Sequence, residues 1–310
     1  MSELKQCFYC SAPVMSANSA VCSAHQKKPE DIVIEGLELH GKINTSDEEL
    51  LANIRSSIRR GYPHLRPFPP RSERIALVGG GPSLERTEKE LVDLVFNGAM
   101  LVTTNGAYQW CIERNLRPNA QVVLDARESN KRFLDPYIPT CRYYISSQCN
   151  PATWDAVEGR EFVMMFHTAA DPESEFMKIL DEFYLSNFYP IGGGTTVIMR
   201  ALVLLRSLGY FRFDLFGVDS CWMDGKNHAY PQIENEKDRR FILQTHPTGH
   251  PELMQEFRVS PWHIKQLEDF LQLIKLNGKY FLINVHGDGL LAYAIKASAD
   301  IEMHLDEIGD

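Results

Sequence analysis

Two rhythms of apolar and polar positions run through this chain. Ile75–Val78 is a continuous aliphatic run, the pattern of a strand covered on both faces inside a parallel sheet. Met100–Thr103, Ala120–Leu124, Tyr143–Ser146, Phe162–Phe166, Phe211–Val218 and Tyr280–Val285 read as further strands. Between them the period changes to 3.6 residues, as in Val197, Ile198, Ala201, Leu202, Leu205 and Leu208, a helix stopped by Gly209. Helices are likewise predicted over Ala107–Arg114, Pro151–Val157, Pro172–Tyr184, Trp262–Leu276 and Leu290–Ala297. Strands alternating with helices predict an α/β protein with a doubly wound, mostly parallel sheet.

Punctuation divides the chain. From Thr45 a capped, acid-led helix places Leu50, Leu51 and Ile54 on one face and runs to about Arg60. Gly61–Pro70, with four prolines, then makes a stiff approach to the first core strand. The expected organisation is a small module over 1–28, the helix and proline-rich linker over 29–70, the sheet domain over 71–300, and a solvated acidic tail over 301–310. The charged stretch Pro231–Gly249 reads as a mobile flap or insertion.

Composition narrows the class. Among 310 residues, 44% are hydrophobic, enough for a sizeable core, and the formal net charge of -9 argues against broad nucleic-acid binding. No long apolar run suits a membrane span and the N-terminus carries no apolar signal core, so the expectation is a cytoplasmic protein. Four of the seven cysteines are scattered from Cys111 to Cys221, which fits reduced thiols better than a disulfide framework.

The remaining three cysteines, Cys7, Cys10 and Cys22, form with His25 a C-x2-C-x11-C-x2-H pattern that can hold a structural Zn2+, or stand as four unligated residues. Such a knuckle also offers a surface for a protein partner. The first strand stops in Gly79-Gly80-Gly81-Pro82-Ser83, where backbone N–H groups can approach a phosphate without a Cβ in the way. Neither a third dinucleotide-type glycine nor a Gly-Lys-Ser/Thr follows, which lowers NAD and Walker-type ATP hydrolysis. Thr87-Glu-Lys-Glu90 reads as a capping box and would start the next helix a few residues beyond Ser83. A second cluster, Gly192-Gly193-Gly194-Thr195-Thr196, directly precedes a helix, and that helix N-terminus makes an anion site. Either cluster can instead be a turn that merely needs glycine. Asp219 falls at a strand's carboxyl end, where open α/β sheets bind ligands, followed by a polar and aromatic loop holding Trp222, His228 and Tyr230.

Taken together, Gly-Gly-Gly-Pro-Ser-Leu84, Asn105, the stretch Arg114–Asp125, Gly192-Gly-Gly-Thr-Thr, Leu208-Gly-Tyr, Leu215-Phe-Gly-Val-Asp219 and His228-Ala resemble one domain. It is shared by archaeal 6-hydroxymethylpterin diphosphokinases of the MptE-like family and by flagellin-modification proteins. The pattern is more distantly similar to bacterial sialyltransferases. The resemblance covers about Arg74–Ala297 and implies a Rossmann-like domain that handles a nucleotide, with the Gly79–Ser83 loop on its phosphates. It implies strand-end acids at Asp125 and Asp219, which can share a Mg2+ bridging donor phosphates or can each cap a helix. His228 is the candidate base, with His246, His250 and His263 as alternatives. Arg127 and Lys131 can neutralise phosphate charge or be surface cations; Asn105 can bond the nucleotide or serve the turn; Trp222 and Tyr230 suit a flat acceptor.

Three functions follow. The first is Mg2+-dependent transfer of a diphosphate from a nucleotide such as ATP to a small hydroxylated acceptor. A second is glycosyl transfer from a nucleotide sugar onto a glycan or other acceptor. The third is a non-catalytic nucleotide-binding or assembly protein, in which loss of Asp125 or Asp219 changes nothing.

Overall fold

A computed structural model describes residues 31–34, 37–40, 45–232, 239–277, 280–297 and 301–307. The 1–28 module, with Cys7, Cys10, Cys22 and His25, lies outside the described residues. The chain enters through an antiparallel pair, β1 (Asp31–Ile34) and β2 (Leu37–His40), and helix α1 (Asp47–Ile58). Ser46 caps α1 by accepting the Glu49 N–H at 3.2 Å, and three acids occupy its first turn.

The sheet domain then builds strand by strand: β3 (Arg74–Val78), β4 (Met100–Thr104), β5 (Ala120–Val123), β6 (Arg142–Ser146), β7 (Val163–Thr168) and β8 (Pro190–Ile191). Its connecting helices are α2 (Leu84–Phe96), α3 (Ala107–Glu113), α4 (Pro151–Asp155) and α5 (Glu175–Tyr184). Helix α6 (Val197–Ser207) carries the chain back to β9 (Arg212–Phe216), and β12 (Leu282–Val285) follows later, after β10 (Phe241–Pro247), β11 (Gln255–Val259) and α7 (Pro261–Asn277). Helix α8 (Leu290–Lys296) and strand β13 (Ile301–Glu307) complete the described chain. The eight-stranded sheet has the order β12-β9-β3-β4-β5-β6-β7-β8, with every pairing parallel.

Alternate residues of one strand enter different cores, which is what a doubly wound sheet requires. Ile75 and Leu77 of β3 join α6, α7 and α8, whereas Ala76 and Val78 join α2 and α3. Farther along, Tyr143 and Ile145 of β6 pack with Trp154 of α4 and Leu180 of α5. Helix α6 is buried nearly all round, as its unbroken Ala201–Leu205 stretch requires.

Several expected boundaries move. Ile54 and Ile58 of α1 are buried with Trp154 and Leu180, so α1 belongs to the sheet domain. The proline-rich approach is docked: Leu65 N–H donates to Met165 O at 2.7 Å and Met165 N–H to Pro63 O at 2.8 Å. Within the expected flap, Phe241–Pro247 form β10, paired antiparallel with β11 and with β13. The expected solvated tail is thus a strand over Ile301–Glu307, because Ile301, Met303 and Leu305 alternate with polar residues at period two. Phe241, Leu243 and Val259 continue the core under α6 and α7.

Candidate active site

The strand order reverses beside β3: β4 to β8 lie to one side, β9 and β12 to the other. A cavity of about 870 Å3 opens at this switch point, outside the carboxyl ends of the strands, where open α/β sheets bind ligands. Gly80 after β3, Asn105 after β4, Asp125 after β5, Gln148 after β6, Thr168 of β7 and Asp219 after β9 all line it.

The first glycine cluster is built differently from the expectation. Helix α2 begins at Leu84, directly after Ser83, and Thr87 donates its hydroxyl to Ser83 O at 2.9 Å instead of capping. The Leu84, Glu85 and Arg86 N–H groups bond Gly81, Pro82 and Ser83 carbonyls, so this helix N-terminus is closed. Gly79 N–H bonds Phe216 O at 2.8 Å and Gly81 N–H bonds Gly217 O at 2.7 Å. Pro82 and Ser83 do not line the cavity, and Ser83 N–H donates to Asp219 Oδ2 at 2.9 Å. The glycines are needed because two neighbouring backbones run in close contact here: a Cβ on Gly79 would lie 2.6 Å from Gly217 O. Only Gly80, among Gly79–Gly81, keeps an N–H with no hydrogen bond to the described residues.

The second cluster supplies what the first lacks. Gly193 and Gly194, both at positive φ, pack against Val203 and Asp269 respectively, and so shape the turn. Asp269 Oδ2 accepts both Thr195 N–H at 2.8 Å and Thr195 Oγ1–H at 3.0 Å. Beyond that, α6 starts without a side-chain cap on Thr196, whose Oγ1 is buried with no partner among the described residues. Thr195, Thr196, Val197 and Ile198 line the cavity, so the uncapped first turn and its positive dipole end face the ligand space. Arg200, one turn on, lines it as well and donates to Ile191 O at 2.6 Å.

The structure separates the four histidines. His246 and His250 lie on β10 and in the turn after it, away from the cavity. His263 lines the cavity, but its Nδ1 accepts Ser260 N–H at 3.0 Å, leaving Nε2–H to donate to Asn227 Oδ1 at 2.8 Å. Burial holds this imidazole neutral, its pKa lowered to about 3, first through desolvation and then through His228 nearby. His228 remains: it lines the cavity and lies so near Gly80 that a Cβ there would be 2.8 Å from its Cδ2. Ala229 N–H donates to Gly80 O at 2.9 Å, which fixes the His228 loop to the glycine turn. Tyr230 is wedged between Gly80 and Gly106, and burial raises its phenol pKa. Trp222 does not line the cavity; its indole N–H bonds Ser260 Oγ at 2.8 Å, so it is part of the framework.

Both strand-end acids reach the cavity already partnered. Arg127 takes both Asp125 oxygens, its Nε at 3.0 and 2.9 Å and its terminal nitrogen on Oδ2, and Arg127 N–H adds a bond to Oδ1 at 2.9 Å. Asp219 is 3% exposed and sits against Gly81 and Gly289, with its pKa raised by burial. Among the described residues no three His, Cys, Asp or Glu side chains converge on a metal position. Lys131 is engaged with Glu128 at 3.1 Å and does not line the cavity. Asn105 adopts φ 47°, and its Oδ1 is buried at the cavity wall without a partner among the described residues.

Sequence reasoning missed the far wall. Leu50, Leu51 and Ile54 of α1, Gln148, and Trp262 and Gln266 of α7 all line the cavity. Their only signal was the position of Gln148 two residues past a strand end; α1 and α7 arrive through tertiary packing.

Fold and cleft define a doubly wound α/β protein with a pocket at its switch point, onto which the open first turn of α6 faces. The chain belongs to the 6-hydroxymethylpterin diphosphokinase MptE-like family, whose model matches residues 48–225, more than half of its length. Membership makes it transferase-like. The chain is also similar in fold to the MAf glycosyltransferase from Magnetospirillum magneticum AMB-1, with a TM-score of 0.53 and 13% identity over 84% of this chain. It spans only 42% of that larger chain. No curated protein matches the sequence. Among the described residues no helix is long and apolar enough to cross a membrane, and Cys111, Cys141, Cys149 and Cys221 are free and buried.

Proposed function

We propose that the chain transfers a glycosyl group from a nucleotide sugar to a hydroxylated acceptor. The donor phosphate sits at the open first turn of α6, near Thr196 and Arg200. The acceptor hydroxyl lies beside His228. As its oxygen forms a bond to the anomeric carbon, the bond from that carbon to the phosphate oxygen breaks. His228 takes the hydroxyl proton, and the nucleotide departs with its electron pair as the phosphate anion. Helix dipole and free N–H groups stabilise the charge that develops on the leaving phosphate. Asn105 accepts a donor hydroxyl, while Asp125 acts as a positioning residue for Arg127 and Asp219 holds the glycine turn.

One observation carries this reading: the uncapped α6 turn, the unpartnered Asn105 and Thr196 oxygens and His228 share one cavity. The paired state of Asp125 and Asp219 favours a transfer in which neither holds a metal. A second reading, diphosphate transfer from ATP to a small alcohol, is favoured by the family description.

A thermal-shift series with nucleotide sugars and ATP, each with Mg2+ or with EDTA, separates them, since a ligand that binds the folded state raises its melting temperature. The expected result is stabilisation by a nucleotide sugar in EDTA, and a His228→Gln variant that keeps this shift but loses about 100-fold or more in turnover. Stabilisation by ATP with Mg2+ alone favours the second reading; no shift with any nucleotide overturns both.

A further inference from the structure

The cavity has a second arm that the transfer chemistry leaves unused. It is walled by Leu50 and Leu51 of α1, Ala169 and Ala170 after β7, and Phe176 of α5, all half-buried apolar side chains. Gln148 lines the same cavity. Thr168 Oγ1–H orients its side-chain amide by donating to Oε1 at 3.2 Å, while its main chain is held by Asn53 Nδ2, which donates to Gln148 O at 3.2 Å, and by Ser146 Oγ, which accepts its backbone N–H at 3.4 Å. With Oε1 taken by Thr168, Nε2 carries no hydrogen bond to the described residues.

We infer that this arm binds the nucleobase of the donor, with Gln148 donating from Nε2 to a ring nitrogen or carbonyl on the base edge. The inference rests on the nucleotide reading above. Apolar side chains with an oriented amide, and with Asp47 of α1 and Ser174 and Glu175 of α5 lining the same cavity, match a flat heterocycle, which has apolar faces and a polar edge. Spacing agrees: the carboxyl end of β4, with Asn105, and that of β6, with Gln148, are two strand separations apart, about 10 Å, leaving room for a ribose. His228 lies on the opposite side, next to Gly80. The acceptor therefore enters from the α7 side, past Trp262 and Gln266, and the base points toward α1.

Titration calorimetry on the full chain, using UMP, CMP, AMP, GMP, ribose 5-phosphate and inorganic pyrophosphate, tests this. At least one nucleoside monophosphate is expected to bind about tenfold or more tightly than ribose 5-phosphate. Gln148→Leu should remove about tenfold of that margin, the cost of one unmade hydrogen bond, while pyrophosphate affinity stays unchanged. Phe176→Ala, at a half-buried wall position packed on the edge of the core, should also narrow the margin. If both variants keep the full margin and bind pyrophosphate normally, the base lies elsewhere and this inference fails alone. Failure of the wild type to bind pyrophosphate and every nucleotide overturns it together with the transferase reading.

Discussion

Three adjacent glycines should respond differently to the same added methyl group. A Cβ on Gly79 would lie 2.6 Å from Gly217 O, and one on Gly81 would lie 2.8 Å from the same oxygen and closer still to Asp219 Oδ2. Both collide with the backbone that extends the neighbouring strand β9, which cannot give way locally. Overpacking of this kind costs about 3 kcal/mol, or roughly 6 °C in melting temperature at about 2 °C per kcal/mol. Gly80→Ala meets only side chains. To regain a contact distance of 3.4 Å from a Cβ now 2.8 Å away, His228 Cδ2 has to withdraw by about 0.6 Å, and the Tyr230 hydroxyl by more. The expected stability cost is about 1 kcal/mol. A displaced base, however, loses on the order of 10- to 100-fold in rate. The assays are differential scanning fluorimetry and release of nucleotide from the donor. Equal melting losses for all three variants, or a Gly80→Ala protein with wild-type turnover, would refute the assignment of Gly80 to the His228 side of the cleft.

Asp125→Asn is expected to retain turnover within about tenfold, because Asp125 orients Arg127 and touches no reacting atom; loss of 1,000-fold or more in the same nucleotide-release assay would place it in the chemistry. Asp219→Ala leaves the buried Ser83 N–H without its acceptor, a loss of about 1–3 kcal/mol readable in urea unfolding. A cluster far from the cleft sets a pH window. Asp214 resists the upward push of burial through hydrogen bonds from His286, Arg74 and Asn284, which together lower its pKa to about 2. His286 is raised by Asp214 and Glu90 despite desolvation. The Asp214 contribution, about 2 kcal/mol, is present above the unfolded carboxylate value near 3.9 and fades as pH falls toward 2. That of His286 is full below about 6.5 and fades as pH rises through its folded value. Melting curves should peak between about pH 4 and 6.5, and His286→Ala should flatten both sides, the alkaline one by removing the imidazole and the acid one because Asp214 loses a hydrogen bond that holds its pKa down.

Continuous apolar runs such as Ile75–Val78 announced the buried strands, and glycine or proline punctuation fixed most connections. What escaped was set by tertiary contacts. Helix α1 looked like a linker element because nothing in Leu50, Leu51 and Ile54 says which surface covers them. Strand β13 looked like a tail because its partner, β10, is more than fifty residues away in sequence. The glycine triplet was legible as a close approach, but not as an approach of backbone to backbone rather than to phosphate. Thr87–Glu90 matched a capping box, yet the bonds of Ser83, Pro82 and Gly81 to the first turn started α2 earlier. Conversely, the second glycine cluster announced the open α6 turn correctly, since a helix start with hydroxyl neighbours is a local property. The Ser260 and Asn227 bonds that engage both ring nitrogens of His263 are tertiary contacts, which no spacing reveals.

The most direct measurement is a crystal structure of the chain with a bound nucleoside diphosphate. The account predicts a phosphate within about 3 Å of the first-turn N–H groups of α6, with the terminal phosphate directed toward Gly80 and His228. A phosphate held instead by Lys131, or at the closed start of α2, would contradict it.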